Sequence, residues 1–292
     1  MHLEAKRLLR ASLVLCLALA GPAWAQEEPP KEETTEGQPP PEGTPEATPE
    51  ATPSMGVMIT YAKADWPQEF VLRTTVWPKG MIAIRIPIDI NLSKGAVGKP
   101  VFLPLELFYG VTEDLSVGLI HARGLCFTGK DNGCAKFYDD VGLTALYRVL
   151  RGNFDMAAQL SLLIGSFDPF LLSVGVGVKG RVLVANNKLA ILFNPIIGIG
   201  ITERDAGNKE FLSIPVDFMY QVTPMLAAGI GTTFGGPLDG FGDFFTGSLD
   251  IQGLYAVNKM IDVFLEFSFT NLYGKNGGAD GRLLIIGANL HL

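Results

Sequence analysis

The twelve residues MIAIRIPIDINL, at positions 81–92, decide the fold class of this chain. Each even-numbered position from Ile82 to Leu92 carries an isoleucine or a leucine, whereas the odd-numbered positions include Arg85 and Asp89. Successive side chains of an extended strand point to opposite faces, so this alternation predicts a strand with one apolar face and one polar face.

The same alternation recurs to the C-terminus and predicts twelve strands. They lie near residues 81–92, 101–109, 115–124, 138–149, 154–164, 170–184, 188–202, 211–222, 225–234, 244–256, 260–270 and 282–292. Short turns follow every second strand, and the other connections are generally longer and rich in Gly, Asp, Asn and Lys. This arrangement is typical of an outer-membrane barrel. The predicted fold class is all-β: a transmembrane antiparallel up-and-down β-barrel of about 12 strands, with a disordered N-terminal tail.

Composition excludes several other classes of protein. The 292 residues are 48% hydrophobic and 18% charged, with a mean hydropathy of +0.27 and a formal charge of −7. This balance argues against a coiled coil or a wholly disordered chain. Nucleic-acid binding is not expected, because it requires lysines and arginines that neutralise phosphates. The only uninterrupted apolar run near spanning length lies at the N-terminus, which argues against a helical membrane protein.

The sequence divides into four segments. Residues 1–25 are predicted to be a signal peptide, because basic residues precede an apolar stretch that ends in Ala23-Trp24-Ala25. Residues 26–54 are a Pro/Glu/Thr-rich tail with nothing to bury, which we expect to be disordered. Residues 55–79 form a pre-barrel periplasmic segment and a candidate plug of the barrel, and residues 80–292 form the barrel itself.

Two cysteines, Cys126 and Cys134, remain after removal of the signal peptide. An exported protein enters an oxidising compartment, so the expected state of this pair is a disulfide in the outer loop after the third strand. Two cysteines without a nearby histidine make a poor zinc site. Neither a metal nor a cofactor is predicted.

Four tyrosines form a pattern of their own. Each lies within four residues of a short turn and shares the parity of the apolar residues of its strand; they are Tyr109, Tyr147, Tyr220 and Tyr255. Tyrosine favours strands in general, but that preference explains neither the shared parity nor the shared rim. The pattern predicts a belt of aromatic rings at one membrane interface.

With its signal peptide, alternating strands and a last strand that ends at the C-terminus, the chain resembles the porin-like Gram-negative outer-membrane β-barrel proteins over Gly80 to Leu292. The resemblance implies contact with outer-membrane lipid and with the barrel-assembly machinery. Members commonly end in an aromatic residue, whereas this chain ends in Leu290-His291-Leu292. The stretch from Phe70 to Gly80 is also similar to the lead-in of poorly characterised barrels likened to phenol-pathway transporters.

The polar parity predicts which charged side chains face the lumen. They are Arg85, Asp89, Glu106, Asp140, Arg148, Asp155, Lys179, Arg181, Asp217, Asp250, Asp262 and Glu266. Opposite charges pair across a narrow barrel, but the excess of acidic groups predicts a mild cation preference in an open pore. Asp262 and Glu266 are the expected determinants, since they share a strand face with no base between them.

The favoured function is a narrow passive channel for small solutes or ions, since twelve strands lie between filled and open barrels. The alternative is a structural or surface-interaction barrel with a closed lumen, for which the aromatic loop with Phe241, Phe244 and Phe245 is the nearest support.

Enzymatic activity is not predicted. An outer-membrane phospholipase has a similar architecture and pairs a histidine with a serine, but His121 has no serine motif beside it. A lipid hydrolase is therefore a remote alternative. The stretch Gly175 to Gly180 fits a dinucleotide-binding pattern, yet it lies within a predicted strand, where its glycines would make room inside the barrel.

Overall fold

The computed structural model describes residues 61–275 and 277–292. The predicted signal peptide (1–25), the predicted tail (26–54) and residues 55–60 of the pre-barrel segment lie outside the described residues. Within the described ranges, no helix has both the length and the apolar character needed to cross a membrane.

The described chain forms fifteen β segments that build twelve barrel strands. The segments are β1 (Ile82–Asn91), β2 (Val101–Leu103), β3 (Glu106–Gly110), β4 (Leu115–Ile120), β5 (Leu125–Cys126), β6 (Val141–Leu150), β7 (Phe154–Phe167), β8 (Phe170–Val184), β9 (Leu189–Phe193), β10 (Ile196–Gly200), β11 (Phe211–Gln221), β12 (Leu226–Pro237), β13 (Thr246–Ala256), β14 (Ile261–Gly274) and β15 (Arg282–His291). Three barrel strands consist of two segments each: β2 with β3, β4 with β5, and β9 with β10. The predicted all-β fold with twelve strands is confirmed.

The sheet closes on itself through its first and last strands. β1 pairs antiparallel with β15 from Ala83 opposite His291 to Asn91 opposite Leu283, and the other named strands also pair antiparallel. Closure satisfies the backbone groups that an open edge would leave unpaired. This register completes a closed barrel.

Three strands predicted as continuous are interrupted, and proline explains two of the breaks. Pro104 separates β2 from β3, and Pro195 separates β9 from β10. Proline has no backbone N–H, so it removes one hydrogen bond from the ladder. Beyond β4 the chain turns at His121–Gly124 before β5 begins.

Other strand bounds also differ from the prediction. β7 and β14 extend to Phe167 and Gly274, past the predicted ends at 164 and 270, whereas β6 begins only at Val141. Phe241–Phe244 form one short helical turn, α1, before β13.

The two faces of the wall have opposite character. The residues at even positions of β1 belong to the outer face, and large apolar side chains there and on other strands are exposed. The four tyrosines near the short turns are exposed by 43–58%; they are Tyr109, Tyr147, Tyr220 and Tyr255. An apolar outer surface with aromatic rings at one rim matches the lipid-facing band of membrane barrels.

The glycines of β8 permit close approach of the next strand. A Cβ atom added to Gly177 would lie 2.3 Å from the carbonyl oxygen of Pro195, and one added to Gly180 would lie 2.0 Å from the ring of Phe193. These positions therefore serve the packing of the barrel wall.

Candidate functional site: the lumen and its plug

Residues 61–79, here called the plug, are bound to the inner face of the wall near the short turns, through Ser116, Asp155, Gln221 and Asp262. They contain two short 3-10 turns, Lys63–Asp65 and Phe70–Leu72. Val71 belongs to a buried apolar cluster with wall residues of β8, β9, β11 and β12. Val76 belongs to another, with wall residues of β1, β3, β6 and β7. The two sets come from different parts of the wall, so the plug crosses the lumen and contacts both.

An ion pair ties the plug to the last two strands. The Arg73 guanidinium donates two hydrogen bonds to the carboxylate of Asp262, one of them from Nη2 to Oδ1 at 2.8 Å. The Nε2 atom of His291 lies 2.9 Å from the same carboxylate. The side chains of Arg73 and Asp262 are only 7% and 0% exposed. Buried, bidentate pairs of this kind fix geometry and are costly to break.

A second group of wall charges binds the backbone of the plug. Arg181 Nη1 donates to the carbonyl of Arg73 at 2.7 Å, and Arg148 Nη2 donates to the carbonyl of Val76 at 2.9 Å. Asp155 accepts the backbone N–H of Thr75 at 2.6 Å and pairs with Arg148 at 3.3 Å. Wall charges thus satisfy backbone groups of the plug, which contains little regular secondary structure.

Neutral wall residues complete the attachment. Ser116 accepts the backbone N–H of Trp77 at 2.9 Å, and Gln221 accepts that of Val71 at 3.2 Å. Nothing in the strand alternation marked Ser116, Gln221, His291 or Arg73 as functional. The sequence signal of a plug is the aromatic content of residues 55–79, which include Tyr61, Trp66, Phe70 and Trp77.

Burial affects a titratable group at the start of the plug. Desolvation raises the pKa of the Tyr61 hydroxyl, and Glu69 adds to this effect, although the positive charge of Arg181 opposes it. Tyr61 is therefore expected to stay neutral at physiological pH.

Above the plug the lumen contains a cavity of about 520 Å³. Arg73, Thr74 and Trp77 of the plug line one side of it. The wall contributes apolar and aromatic side chains, among them Phe108 and Phe264, together with charged ones. This composition is typical of sites that hold small molecules.

Six of the predicted lumen charges line this cavity: Arg85, Glu106, Lys179, Arg181, Asp217 and Glu266. Arg85 pairs with Glu106 at 3.4 Å, and Gln252 donates to Asp217 at 2.7 Å. Arg181 faces the cavity but also binds the plug, as described above.

The other predicted lumen charges lie elsewhere. Arg148, Asp155 and Asp262 bind the plug. The sequence led us to expect that Asp262 and Glu266 share their surroundings, but Asp262 pairs with Arg73, whereas Glu266 faces the cavity. Asp250 accepts a hydrogen bond from Ser248 at 2.8 Å and another from Ser268.

Two further acids lie away from this cavity. Asp89 lies opposite Ile285 in the pairing of β1 with β15. Asp140 lies just before β6 and accepts the backbone N–H groups of Arg123 and Gly124 at 2.7 and 2.9 Å.

The loop on the long-loop side brings the two cysteines together. Cys126 and Cys134 are bonded, with their Cα atoms 5.7 Å apart, and Cys126 belongs to β5, which pairs with β2. His121, which follows β4, makes contacts of its own: its Nδ1 donates to the carbonyl of Leu105 at 2.6 Å, and its Nε2 is 3.0 Å from the Tyr138 hydroxyl. These ring contacts pair His121 with no serine.

Asp139 organises the same loop. Desolvation raises its pKa, but hydrogen bonds from the Phe167 backbone, Lys136 and Ser166 outweigh this and hold the pKa below its ordinary value. The carboxylate thus ties the segment before β6 to the end of β7.

No family model matches the sequence, and no curated protein matches it. Among solved structures, the chain is similar to the KdgM porin, with a TM-score of 0.51 and 10% identity over 71% of this chain and 98% of that one. It is also similar to the NanC porin, with a TM-score of 0.52 and 11% identity over 71% of this chain and all of that one. At this identity the likeness shows the fold: a porin-like β-barrel.

Proposed function

We propose that this protein is an outer-membrane channel for small polar solutes, which the plug closes at the periplasmic end. The observation that carries the proposal is the cavity above the plug, because it has charged and apolar walls inside a closed barrel. The porin-like fold agrees with this role but does not identify a solute. We propose transport and not catalysis as the activity.

The proposed location rests on the surface of the barrel and on the N-terminal sequence. The apolar outer face and the four tyrosines suit contact with outer-membrane lipid, and the predicted signal peptide supports export and insertion by the barrel-assembly machinery. An even number of strands returns both chain ends to the side of the short turns. The plug would then be periplasmic, and the loop with a disulfide between Cys126 and Cys134 would be extracellular.

The proposed channel has a mild preference for cations. On the wall beyond the plug, five acids outnumber the two bases Arg85 and Lys179; the acids are Asp89, Glu106, Asp217, Asp250 and Glu266. A low-dielectric wall lets a small imbalance set the local potential. Asp262 does not contribute, because Arg73 neutralises it.

The alternative is a structural or surface-interaction barrel with a permanently closed lumen. The several polar attachments of the plug favour it, as does the aromatic group at α1. There the rings of Phe241 and Phe245 stack at 6.0 Å and Phe244 is 63% exposed.

Planar-bilayer recording of the refolded full-length protein distinguishes the two functions. The channel proposal predicts ion conductance with a reversal potential on the cation side in a KCl gradient. Glu266→Gln and Asp217→Asn should each move this potential toward the anion side, whereas Asp239→Asn, an exposed loop control, should not. Absence of conductance in both the wild type and Arg73→Ala, a variant with a weakened plug, would favour the closed structural barrel.

A further inference from the structure

Two unpaired side chains of opposite charge line the cavity above the plug. Lys179 of β8 and Glu266 of β14 both face it, and neither forms an ion pair or a side-chain hydrogen bond with the described residues. The other charged groups of the cavity do have partners, such as Arg85 with Glu106 and Asp217 with Gln252. Both side chains are only half-buried, so each charge can contact water or, in its place, a ligand group of opposite charge.

Lys179 and Glu266 form two poles of the cavity on nearly opposite sides of the barrel, because four strands separate β8 from β14 in one direction around the wall and six in the other. Lys179 interacts electrostatically with Glu106 and Arg85, whereas Glu266 interacts with Asp250, Asp217, Asp89 and Arg85. Because the two side chains come from nearly opposite sides of the wall, a ligand that contacts both must span the lumen and be elongated. Glu266 also lies on the more acidic side, which favours a cationic group there.

Aromatic and aliphatic side chains line the cavity together with the charged ones. The Lys179 ammonium lies 5.8 Å from the centre of the Phe108 ring, and the Arg85 guanidinium lies 4.8 Å from that of Phe264. Leu192, Met219 and Leu254 also line the cavity. The middle of a bound molecule would therefore meet apolar surface.

We infer that the lumen holds a binding site for elongated zwitterions, with the carboxylate at Lys179, the ammonium at Glu266 and an apolar chain between them. This inference deepens the proposed function, because it names the class of solute that would enter the lumen. The cavity of about 520 Å³ lies within the range of about 300 to 1,000 Å³ common for small-molecule sites.

Four small molecules test the inference by isothermal titration calorimetry of the full-length protein in detergent micelles. The probe is 6-aminohexanoate; hexanoate lacks the ammonium, hexylamine lacks the carboxylate, and norleucine carries both charges at one end. We expect 6-aminohexanoate to bind at least about tenfold more tightly than each of the others, since each lacks one charge-assisted contact.

Variants assign the two poles. Lys179→Met should make the affinities of 6-aminohexanoate and hexylamine similar, and Glu266→Gln should do the same for 6-aminohexanoate and hexanoate. Lys209→Met removes a lysine of the exposed loop and should change none of the affinities. If either lumen variant does not fold, the ranking of the four affinities for the wild-type protein still tests the inference.

Three results would overturn the inference: equal binding of hexylamine or hexanoate, equal binding of norleucine, or no binding of 6-aminohexanoate. The bilayer recordings separate this failure from failure of the channel. Conductance without binding overturns the zwitterion site alone, whereas absence of both overturns the channel as well.

Discussion

Replacing Arg73 by alanine should release the plug and raise the open probability of the channel. The substitution removes both hydrogen bonds to Asp262 and leaves a fully buried carboxylate with only His291 and a long contact to Asn289. Breaking a buried pair by removal of one partner costs about 3 to 5 kcal/mol. At about 1.4 kcal/mol for each tenfold change, the equilibrium should shift toward release by about 10² to 10³·⁵.

Single-channel recording at constant voltage measures this shift as longer or more frequent open intervals. The matched control is Arg151→Ala. Arg151 pairs with Asp114 at the same rim, but the pair is partly exposed and does not hold the plug. Heat-modifiable mobility on a gel should show that both variants retain a folded barrel.

The pair itself can be isolated with a double-mutant cycle. Asp262→Asn should also favour release, and the effects of Arg73→Ala and Asp262→Asn should not add, because each single change already breaks the same contact. Open probability equal to that of the wild type in both variants would refute the assignment of this ion pair as the main attachment of the plug.

Three further outcomes are expected. Mass spectrometry of protein purified without reductant should find no free thiol at Cys126 or Cys134, and Cys134→Ser should keep heat-modifiable mobility; two free thiols would contradict the disulfide. On intact cells, an impermeant thiol reagent should label Asp205→Cys in a long loop and spare Asn187→Cys in a short turn; the opposite pattern would reverse the orientation. Because the pKa of Asp139 is lowered in the folded loop, its contribution to loop stability should be complete above its ordinary pKa and disappear as the pH falls through the lowered value. Amide exchange at Phe167, corrected for the intrinsic effect of pH, should then accelerate in acid, and Asp139→Asn should remove this pH dependence.

Strand alternation predicted the barrel because its physical basis is local. A period of two along β1 or β14 separates a lipid-facing side from a lumen-facing side whatever the rest of the chain does. Pairing register and strand interruptions depend on neighbours. Proline marks the breaks at Pro104 and Pro195 but does not by itself predict them, because Pro87 and Pro215 lie within the continuous strands β1 and β11.

The plug and the pairing of the lumen charges were beyond sequence alternation. Asp262 and Glu266 share one face of β14, yet the first is covered by Arg73 and the second faces the cavity. Parity gives the direction of a side chain, but only the path of residues 61–79 decides which charges are neutralised. That path has no periodicity to read, because it consists mostly of irregular backbone satisfied by wall side chains.

Side-specific modification of a cysteine inside the cavity tests the central claim most directly. In Gln252→Cys, reconstituted in one orientation, a charged methanethiosulfonate reagent added on the long-loop side should react. The same reagent added on the short-turn side should react only when Arg73→Ala is also present. Equal reaction from both sides in the variant with an intact plug, or no reaction from either side with or without Arg73→Ala, would contradict a solute pathway closed by the plug.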